Sequence, residues 1–187
     1  MRVGAFLFGV NLIHLFAGGE SVKKIDMSKI EGLKVFINFA FLHFDDSVID
    51  ILIWGDDFVG KIFAETFKER PKYQIYCHRG NASLADKWIN GVFQYPQYHF
   101  TLSWALMWLK ENYPNEKIVI YGLDGGTGSD YYDGWNKGIA FHPTPPEIER
   151  IAAINRCYKN LDDFKDRENI YVAKGSAYKG FPAYEPN

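Results

Sequence analysis

Residues 12–22 read Leu-Ile-His-Leu-Phe-Ala-Gly-Gly-Glu-Ser-Val, a short apolar run that ends in two glycines and is followed by a serine. Such a run, bounded by glycine, is typical of a strand that is buried on both faces of a parallel sheet. Glycine then permits a tight turn whose backbone N–H groups can approach a ligand closely. We expect a first strand at Leu12–Phe16 and, after it, a loop at the carboxyl edge of a sheet.

The same pattern recurs along the chain, where short apolar runs alternate with longer amphipathic stretches. Further strands are predicted at 35–39, 49–54, 74–77, 117–121 and 169–173, and helices at 58–68, 100–111 and 147–164. This alternation indicates an α/β fold, a Rossmann-like domain with a mostly parallel sheet and helices on both faces. The sequence contains no internal repeat and no linker, so we expect residues 1–187 to form a single domain.

Composition excludes several classes of protein. The chain has 187 residues, 47% of them hydrophobic, and 21 basic against 23 acidic side chains. One core can bury about 70% of the unfolded surface at this length, so the fold needs no disulfide or structural metal. The net charge of −2 provides no overall positive field, and we expect no nucleic-acid partner. Cys77 and Cys157 form no C-x-x-C pair and are expected to be reduced and structural.

The N-terminus has two interpretations. Arg2 followed by the apolar run 3–17 resembles a secretory signal peptide. Asn11 and His14 interrupt that run, which is also shorter than the roughly 20 residues of a membrane span. A buried first strand is the favoured interpretation, and with it a cytoplasmic protein without a transmembrane segment.

In open parallel sheets, ligands bind outside the carboxyl ends of the strands. The segments that follow the predicted strands are 18–21, Asn38, 55–57, 78–79 and 122–133. Gly18, Gly19 and Ser21 can present N–H groups to a ligand, or they can simply form a tight turn. Glu20 repels anions, so a nucleoside contact is favoured over a diphosphate on this loop.

Two further polar residues each have two interpretations. Asn38 interrupts an apolar strand, and its amide must be hydrogen-bonded because an unpaired buried amide costs roughly 1–3 kcal/mol. It either caps the strand end or binds a ligand. Arg79 can donate two hydrogen bonds to phosphate, or it can be a solvated surface residue.

Asp56 and Asp57 follow the apolar run that ends at Trp54. Paired carboxylates in this position can hold Mg²⁺ or Mn²⁺ against the phosphates of a nucleotide. Aspartate is also a preferred residue at the start of a helix, which would make the pair a cap for 58–68. Both interpretations stay open.

The segment 122–134 is rich in glycine, aspartate and tyrosine, which favours an active-site loop over a packed core. Its candidate residues are Asp124, Gly125, Gly126, Tyr131 and Tyr132. His142 follows in a proline-rich approach to the last helix. An imidazole with a pKa near 6.5 suits a general base, although a solvated histidine is the alternative.

Five features follow one another along the chain: Gly-Gly-Glu-Ser, the Ile-Asp-Met-Ser-Lys-Ile stretch at 25–30, the strand with Asn38, the Tyr-Gly-Leu-Asp strand end and the histidine before a helix. In this order they resemble the bacterial lipooligosaccharide sialyltransferases. The related motility-associated and phage glycosyltransferases are similar, so a viral or phage origin is consistent with the chain. The resemblance implies a GT-A-like glycosyltransferase domain. It also implies a nucleotide-sugar donor and a glycan or glycoprotein acceptor.

The resemblance further implies roles for individual residues. The loop 18–21 and Asn38 would contact the nucleotide, Tyr131 or Tyr132 would meet the departing phosphate, and His142 would be the general base. That family works without a metal cofactor, whereas the metal-ligand interpretation of Asp56 and Asp57 would add Mn²⁺ or Mg²⁺. The family's Ser-Gly pair before the central helix has no counterpart near 98–103, so a cytidine donor is not implied.

Two other classes of protein are consistent with the same residues. A metal-dependent phosphoesterase would use Asp56 and the Gly80-Asn81 pair as ligands, but its Asp-x-His motif is absent from the first strand. A noncatalytic nucleotide-binding or structural protein would need the glycine loops but not His142. The aromatic residues Trp88, Phe93, Tyr95 and Tyr98 are expected to form an exposed patch.

Overall fold

The computed structural model describes residues 11–55, 59–60, 63, 69–78, 89–98, 100–125 and 146–185. These residues form one sheet of seven strands: β1 Leu12–Phe16, β2 Leu33–Ile37, β3 Ile51–Trp54, β4 Gln74–His78, β5 Gly91–Phe93, β6 Lys117–Tyr121 and β7 Ile170–Val172. Every neighbouring pair is parallel. The predicted α/β, Rossmann-like fold is therefore confirmed.

The described part of the chain also contains two α-helices, α1 Thr101–Asn112 and α2 Glu147–Leu161. Short 3₁₀ helices lie at Glu20–Lys24, Met27–Lys29, Asn38–His43, Asp46–Val48 and Asp162–Phe164. Val59, Gly60 and Phe63 are helical, and they fall within the predicted helix 58–68. The other residues of that helix lie outside the described part of the chain.

The strands are added to opposite sides of β1 before and after α1, so the strand order changes sides between β1 and β6. From β1 the chain adds β2, β3, β4 and β5 in turn to one side of the sheet. Helix α1 then leads to β6, which pairs with the other side of β1, and β7 follows beyond β6. This topological switch point opens a crevice between adjacent strand ends, where ligands of open α/β sheets bind.

Each face of the sheet has its own apolar core, because successive side chains of a strand point to opposite faces. One face packs against α1 and α2 through Leu102, Leu106 and Leu161. The other face is covered by the segments that join β1, β2, β3 and β4, including buried Phe41 and Phe63. The sheet is thus buried on both sides, which explains its near-continuous apolar strands.

Some predicted strand boundaries differ from the structure. The predicted strand 35–39 runs instead over Leu33–Ile37, because Asn38 has a φ of 48° and begins a 3₁₀ helix. Strand β3 begins at Ile51 rather than at residue 49. Strand β5 was not predicted from the sequence, since it has only three residues and one of them is Gly91.

The predicted exposed aromatic patch is wrong for the three described members. Phe93, Tyr95 and Tyr98 are only 8%, 7% and 8% exposed, and they belong to the core under α1. Trp88 lies outside the described residues. The tryptophans of α1 supply the physical reason, since an aromatic cluster forms with them on the inner face.

Two smaller expectations concern the cysteines and membrane segments. Cys77 and Cys157 form no disulfide, and burial raises the pKa of the Cys157 thiol to about 12. No helix within the described ranges has the length and apolar character that crossing a bilayer requires.

Candidate functional site

The two loops at the switch point leave the sheet side by side. The pairing of Phe16 with Tyr121 brings the ends of β1 and β6 level. The pairing continues one step further, because the Ala17 N–H donates to the Tyr121 carbonyl at 3.0 Å. Residues 17–21 and 122–125 therefore face each other at the carboxyl edge.

A serine and an aspartate join these two loops. The Ser21 N–H donates to Asp124 Oδ2 at 2.7 Å, and the Ser21 hydroxyl donates to Oδ1 at 2.6 Å. Hydrogen bonds to a carboxylate are shorter and stronger than neutral ones. The sequence predicted both residues as site candidates, and the structure brings them together across 103 residues of chain.

The glycines of these loops allow the two backbones to approach. A Cβ at Gly19 would lie 2.3 Å from the Gly122 carbonyl oxygen and 2.7 Å from Asp124 Oδ2. Gly122 has a φ of +77°, and its Cβ would lie 2.7 Å from the Ala17 carbonyl oxygen. Close packing of the loops thus requires glycine here, which gives the tight-turn interpretation a physical basis.

A tyrosine from α2 reaches the same loops. The Gly125 N–H donates to the Tyr158 hydroxyl at 3.0 Å. Tyr158 was not predicted as a site residue, because its spacing in the sequence places it with the apolar residues of the predicted helix 147–164. A tyrosine among aliphatic residues was the only available signal, since its hydroxyl needs a partner when it is buried.

The segment after β7 supports the loop that follows β6. The Ala177 N–H donates to the Leu123 carbonyl at 2.8 Å, and the Ser176 hydroxyl donates to the same oxygen at 3.4 Å. A Cβ added to Gly125 would lie 3.1 Å from the Ala177 side chain. This segment therefore fixes the position of Leu123–Gly125 from the side opposite β1.

Asn38 belongs to a second cluster, at the ends of β2 and β3. Its Oδ1 accepts from the Gly55 N–H at 3.2 Å, and its Nδ2 donates to Thr101 Oγ1 at 3.1 Å. The side chain thus connects a strand end to the first turn of α1. Of the two sequence interpretations, these contacts favour the capping role.

The tryptophan Trp104 fills this second stretch of the edge. A Cβ at Gly55 would lie 2.1 Å from its ring, and His78 stacks on the same ring with centroids 4.0 Å apart. The Trp104 indole N–H donates to the Tyr98 carbonyl at 2.8 Å. The glycine after β3 therefore accommodates the ring of a helix side chain, whereas those after β1 and β6 lie closest to main-chain atoms of the facing loop.

A buried polar pair lies beneath the switch point. His14 of β1 hydrogen-bonds the Tyr121 hydroxyl through Nδ1 at 3.0 Å and the Glu31 carbonyl through Nε2 at 2.9 Å. Because the carbonyl can only accept, Nε2 donates and the hydroxyl donates to Nδ1 in the neutral ring. Burial lowers the pKa of His14 below its usual 6.5 and raises that of Tyr121 to about 12. The pair is neutral at pH 7 and holds β1 to β6.

The remaining predicted residues fall outside the described part of the chain. They are Asp56, Asp57, Arg79, Gly126, Tyr131, Tyr132 and His142. The metal-ligand, phosphate-binding and general-base roles therefore stay predictions. Within the ranges that the structure describes, no three His, Cys, Asp or Glu side chains form a group suited to a metal ion.

Comparison with known proteins identifies no family for the chain. No family model matches the chain, and no curated protein matches it. Among solved structures, a protein from Lactobacillus plantarum, a structural-genomics target, is similar with a TM-score of 0.44 and 14% sequence identity. The match covers 87% of this chain and 59% of that one, so the chain spans little more than half of the solved protein.

Proposed function

We propose that the protein is a glycosyltransferase that binds a nucleotide-sugar donor in the crevice between the loops after β1 and β6. The sugar would be transferred to a hydroxyl of a glycan or glycoprotein acceptor, on a GT-A-like variant of the Rossmann-like fold. The observation that carries the proposal is the pair of glycine-lined loops that Ser21 and Asp124 join at the switch point. A cytoplasmic location is part of the same proposal.

The position of the crevice supports nucleotide binding. Open parallel sheets bind nucleotides where neighbouring strand connections leave in opposite directions, and β1 and β6 are such neighbours. Gly18 and Gly125 are half-buried, one in each of the two loops. Backbone donors next to glycine can approach a planar base or a ribose without a Cβ in the way.

The negative charge of these loops favours contact with the nucleoside rather than with the diphosphate. Glu20 and Asp124 are acidic and both are partly exposed. Two carboxylates repel phosphate but accept hydrogen bonds from hydroxyl and amino groups. The phosphates would instead meet Arg79, Tyr131 or Tyr132, as the sequence predicts.

The chemistry rests on residues identified from the sequence. His142 would remove the proton from the acceptor hydroxyl, and a neutral imidazole is well suited to this at pH 7. The tyrosines, or a divalent cation at Asp56 and Asp57, would stabilise charge on the departing phosphate. Metal dependence separates these two modes of leaving-group stabilisation.

Donor turnover tests the proposal directly. The protein is screened for thermal shifts with CMP, UDP, GDP, ADP and their sugar conjugates, with and without Mn²⁺, and for release of nucleotide in the presence of glycan acceptors. Ligand at 100 times its Kd adds about 2.7 kcal/mol of stability. We expect a shift with one donor class and slow release of its nucleotide.

The His142→Ala variant separates catalysis from binding. Loss of a general base lowers the rate by about 10²- to 10⁴-fold, while the donor-induced thermal shift is retained. Full turnover in this variant would refute the assignment of His142. A thermal shift in the wild type without any nucleotide release would refute the enzyme and favour the noncatalytic nucleotide-binding protein.

A further inference from the structure

The segment that follows β7 is fixed to the sheet at both of its ends. At one end the Ala173 N–H donates to the Ile120 carbonyl at 2.8 Å, and at the other the Val172 N–H donates to the Pro182 carbonyl at 3.0 Å. Residues 176–181, which we call the strap, lie between these two points and form no helix or strand. The strap is therefore held by the contacts of its own side chains and turns.

The middle of the strap lies on the loop after β6. The Ala177 N–H donates to the Leu123 carbonyl at 2.8 Å, and the Ser176 hydroxyl donates to the same oxygen at 3.4 Å. The next residue in the loop is Asp124, which accepts both hydrogen bonds from Ser21. The strap is thus linked through a single peptide unit to the contact that joins the loops after β1 and β6.

Tyr178 anchors the strap to the end of α2. Its hydroxyl donates to Asp162 Oδ1 at 3.0 Å, and Lys165 Nζ lies 2.9 Å from the same oxygen. Lys165 holds the pKa of Asp162 below its usual 3.8, and burial raises the pKa of Tyr178, so a neutral phenol donates to a charged carboxylate at pH 7. Such bonds are stronger than neutral ones. The Asp162 side chain is 48% exposed, however, so water can compete for it.

Tyr178 also supports the loop after β6 by a second route. Its ring lies against that of Tyr158, with centroids 5.0 Å apart, and the Tyr158 hydroxyl accepts the Gly125 N–H at 3.0 Å. A Cβ at Gly125 would lie 3.1 Å from the Ala177 side chain, so the loop and the strap are already in contact. The two routes meet at Tyr178.

We infer that the strap controls a local opening of the switch point: when Tyr178 leaves Asp162, the strap, the loop after β6 and the Ser21–Asp124 contact open together while the sheet stays folded. Segments that open locally have few regular backbone hydrogen bonds, and the strap forms no helix or strand. The inference concerns the conformation of the two loops and does not depend on which ligand they bind.

Amide hydrogen exchange of the full chain, measured by NMR without ligand, tests this opening. The N–H groups of Ser21, Gly125 and Ala177 report on it, because each is hydrogen-bonded when the loops are closed. In Tyr178→Phe we expect all three to exchange about three- to tenfold faster, the effect of one lost hydrogen bond on an opening equilibrium. The N–H of Gln74, at the amino end of β4, should exchange at the wild-type rate.

Tyr95→Phe is the matched control. Tyr95 also donates its hydroxyl to a carboxylate sixteen residues away in the sequence, Glu111 Oε2 at 2.6 Å, but this bond lies at the end of α1 and not on the strap. The variant loses the same kind of hydrogen bond, and the three reporter amides should keep their wild-type exchange rates.

Gly180→Ala tests the anchor without removing either of its partners, since a Cβ at Gly180 would overlap the Tyr178 hydroxyl. It should accelerate the same three amides as Tyr178→Phe. Unchanged exchange in both variants would exclude a role for the anchor.

Three other results would also overturn the inference. Faster exchange at Ala177 alone would mean that the loops do not follow the strap. Equal acceleration at Gln74 would indicate global destabilisation rather than local opening. An equal response of the reporter amides to Tyr95→Phe would mean that the position of the lost bond does not matter.

Discussion

Two stretches of the same sheet edge carry similar sequence signals and have different structures. At the ends of β1 and β6, glycines bring two loops together, and Ser21 and Asp124 join the loops by hydrogen bonds. At the ends of β2 and β3, a glycine and an asparagine also follow apolar strands. There, however, Trp104 packs directly on Gly55, and the side-chain amide of Asn38 is hydrogen-bonded to Gly55 and Thr101.

The difference shows that a glycine after a strand has two separate uses. Gly19 and Gly122 allow backbone to approach backbone, so the two loops pack against each other at the switch point. Gly55 allows a helix side chain to approach the strand end, so that stretch is filled by protein. Topology agrees with this division, because the strand order changes sides of the sheet between β1 and β6 and not between β2 and β3.

Substitution of Gly122 should disrupt the packing of the loops after β1 and β6 and have the largest effect on stability. Gly122→Ala adds a Cβ 2.7 Å from the Ala17 carbonyl oxygen at a φ of +77°, so it incurs both a clash and backbone strain. We expect the free energy of unfolding to fall by about 3–4 kcal/mol, measured by urea denaturation, and the nucleotide-induced thermal shift to disappear.

Gly175→Ala is its control. Gly175 has a φ of +89°, but a Cβ there meets no described atom within 4 Å. Only backbone strain applies, which costs about 1–2 kcal/mol, and the nucleotide-induced shift should persist. Equal losses in the two variants would show that the loops do not pack as closely as described.

Substitution of Gly55 should disrupt the packing of Trp104 at the end of β3 without affecting the loops after β1 and β6. Gly55→Ala places a Cβ 2.1 Å from the Trp104 ring, and overpacking of this kind costs about 2–3 kcal/mol of unfolding free energy. Unlike Gly122→Ala, this variant should retain the nucleotide-induced shift that is measured without a divalent cation.

A double variant tests the cause of that loss. Trp104→Leu shortens the side chain that Gly55 accommodates, so Gly55→Ala should cost at least about 1 kcal/mol less in its presence. Additive effects in urea denaturation would mean that Trp104 does not limit the space at Gly55.

The Ser21–Asp124 contact should have a smaller effect on stability and a clear one on binding. Ser21→Ala removes a hydrogen bond to a carboxylate that joins two distant loops, and we expect a loss of about 1–2 kcal/mol together with weaker nucleotide binding. Ser28→Ala is a matched control, because Ser28 makes the same kind of bond to Asp26 at 2.6 Å, but only two residues away.

The two serine variants should differ in both measurements. Ser28→Ala should lower the melting temperature less than Ser21→Ala and leave the nucleotide Kd unchanged. Unaltered nucleotide affinity in Ser21→Ala would contradict a role for this contact in shaping the crevice.

The pH dependence of stability should reflect His14, which is hydrogen-bonded to Tyr121. The pKa of His14 is lowered in the folded protein, so the unfolded chain takes up a proton first as the pH falls. The contribution of His14 to stability should therefore be constant above about pH 7.5 and decrease as the pH falls through 6.5, with a slope of at most about 1.4 kcal/mol per pH unit for one proton.

Comparison with His14→Gln isolates this group, since the difference between the two pH profiles of unfolding free energy removes the other histidines. Asp26, Asp45 and Asp162 have pKa values lowered from 3.8 and act only below about pH 4. Identical slopes for the wild type and the variant between pH 5 and 7 would rule out the buried neutral histidine.

Much of the fold could be predicted because parallel strands that are buried on both faces are continuous apolar runs in the sequence. The strand at Leu12–Phe16 and its glycine loop followed from local pattern alone, as did Lys117–Tyr121. Short β5 did not, since three residues around a glycine carry too little pattern. The end of β2 was misplaced because apolar residues continue through the 3₁₀ helix after Asn38.

The site was only partly predictable, because its contacts join distant parts of the chain. Ser21 and Asp124 were each identified as candidates, but nothing local indicates that they pair. Tyr158 was assigned to the core by its spacing on the helix. Gly55 was grouped with the site residues, and only the position of Trp104 in three dimensions reveals its structural use. The roles of His142, Tyr131 and Tyr132 stay predictions from the sequence.

Hydrogen exchange with saturating nucleotide tests the central claim most directly, because it reports where on the sheet edge the ligand binds. Mass spectrometry of the full chain, with and without the nucleotide that gives the largest thermal shift, follows amides at both stretches. The account predicts slower exchange at 17–22 and 122–125 and unchanged exchange at 51–55 and 101–104. Protection confined to 51–55 and 101–104, with none at the switch point, would contradict it.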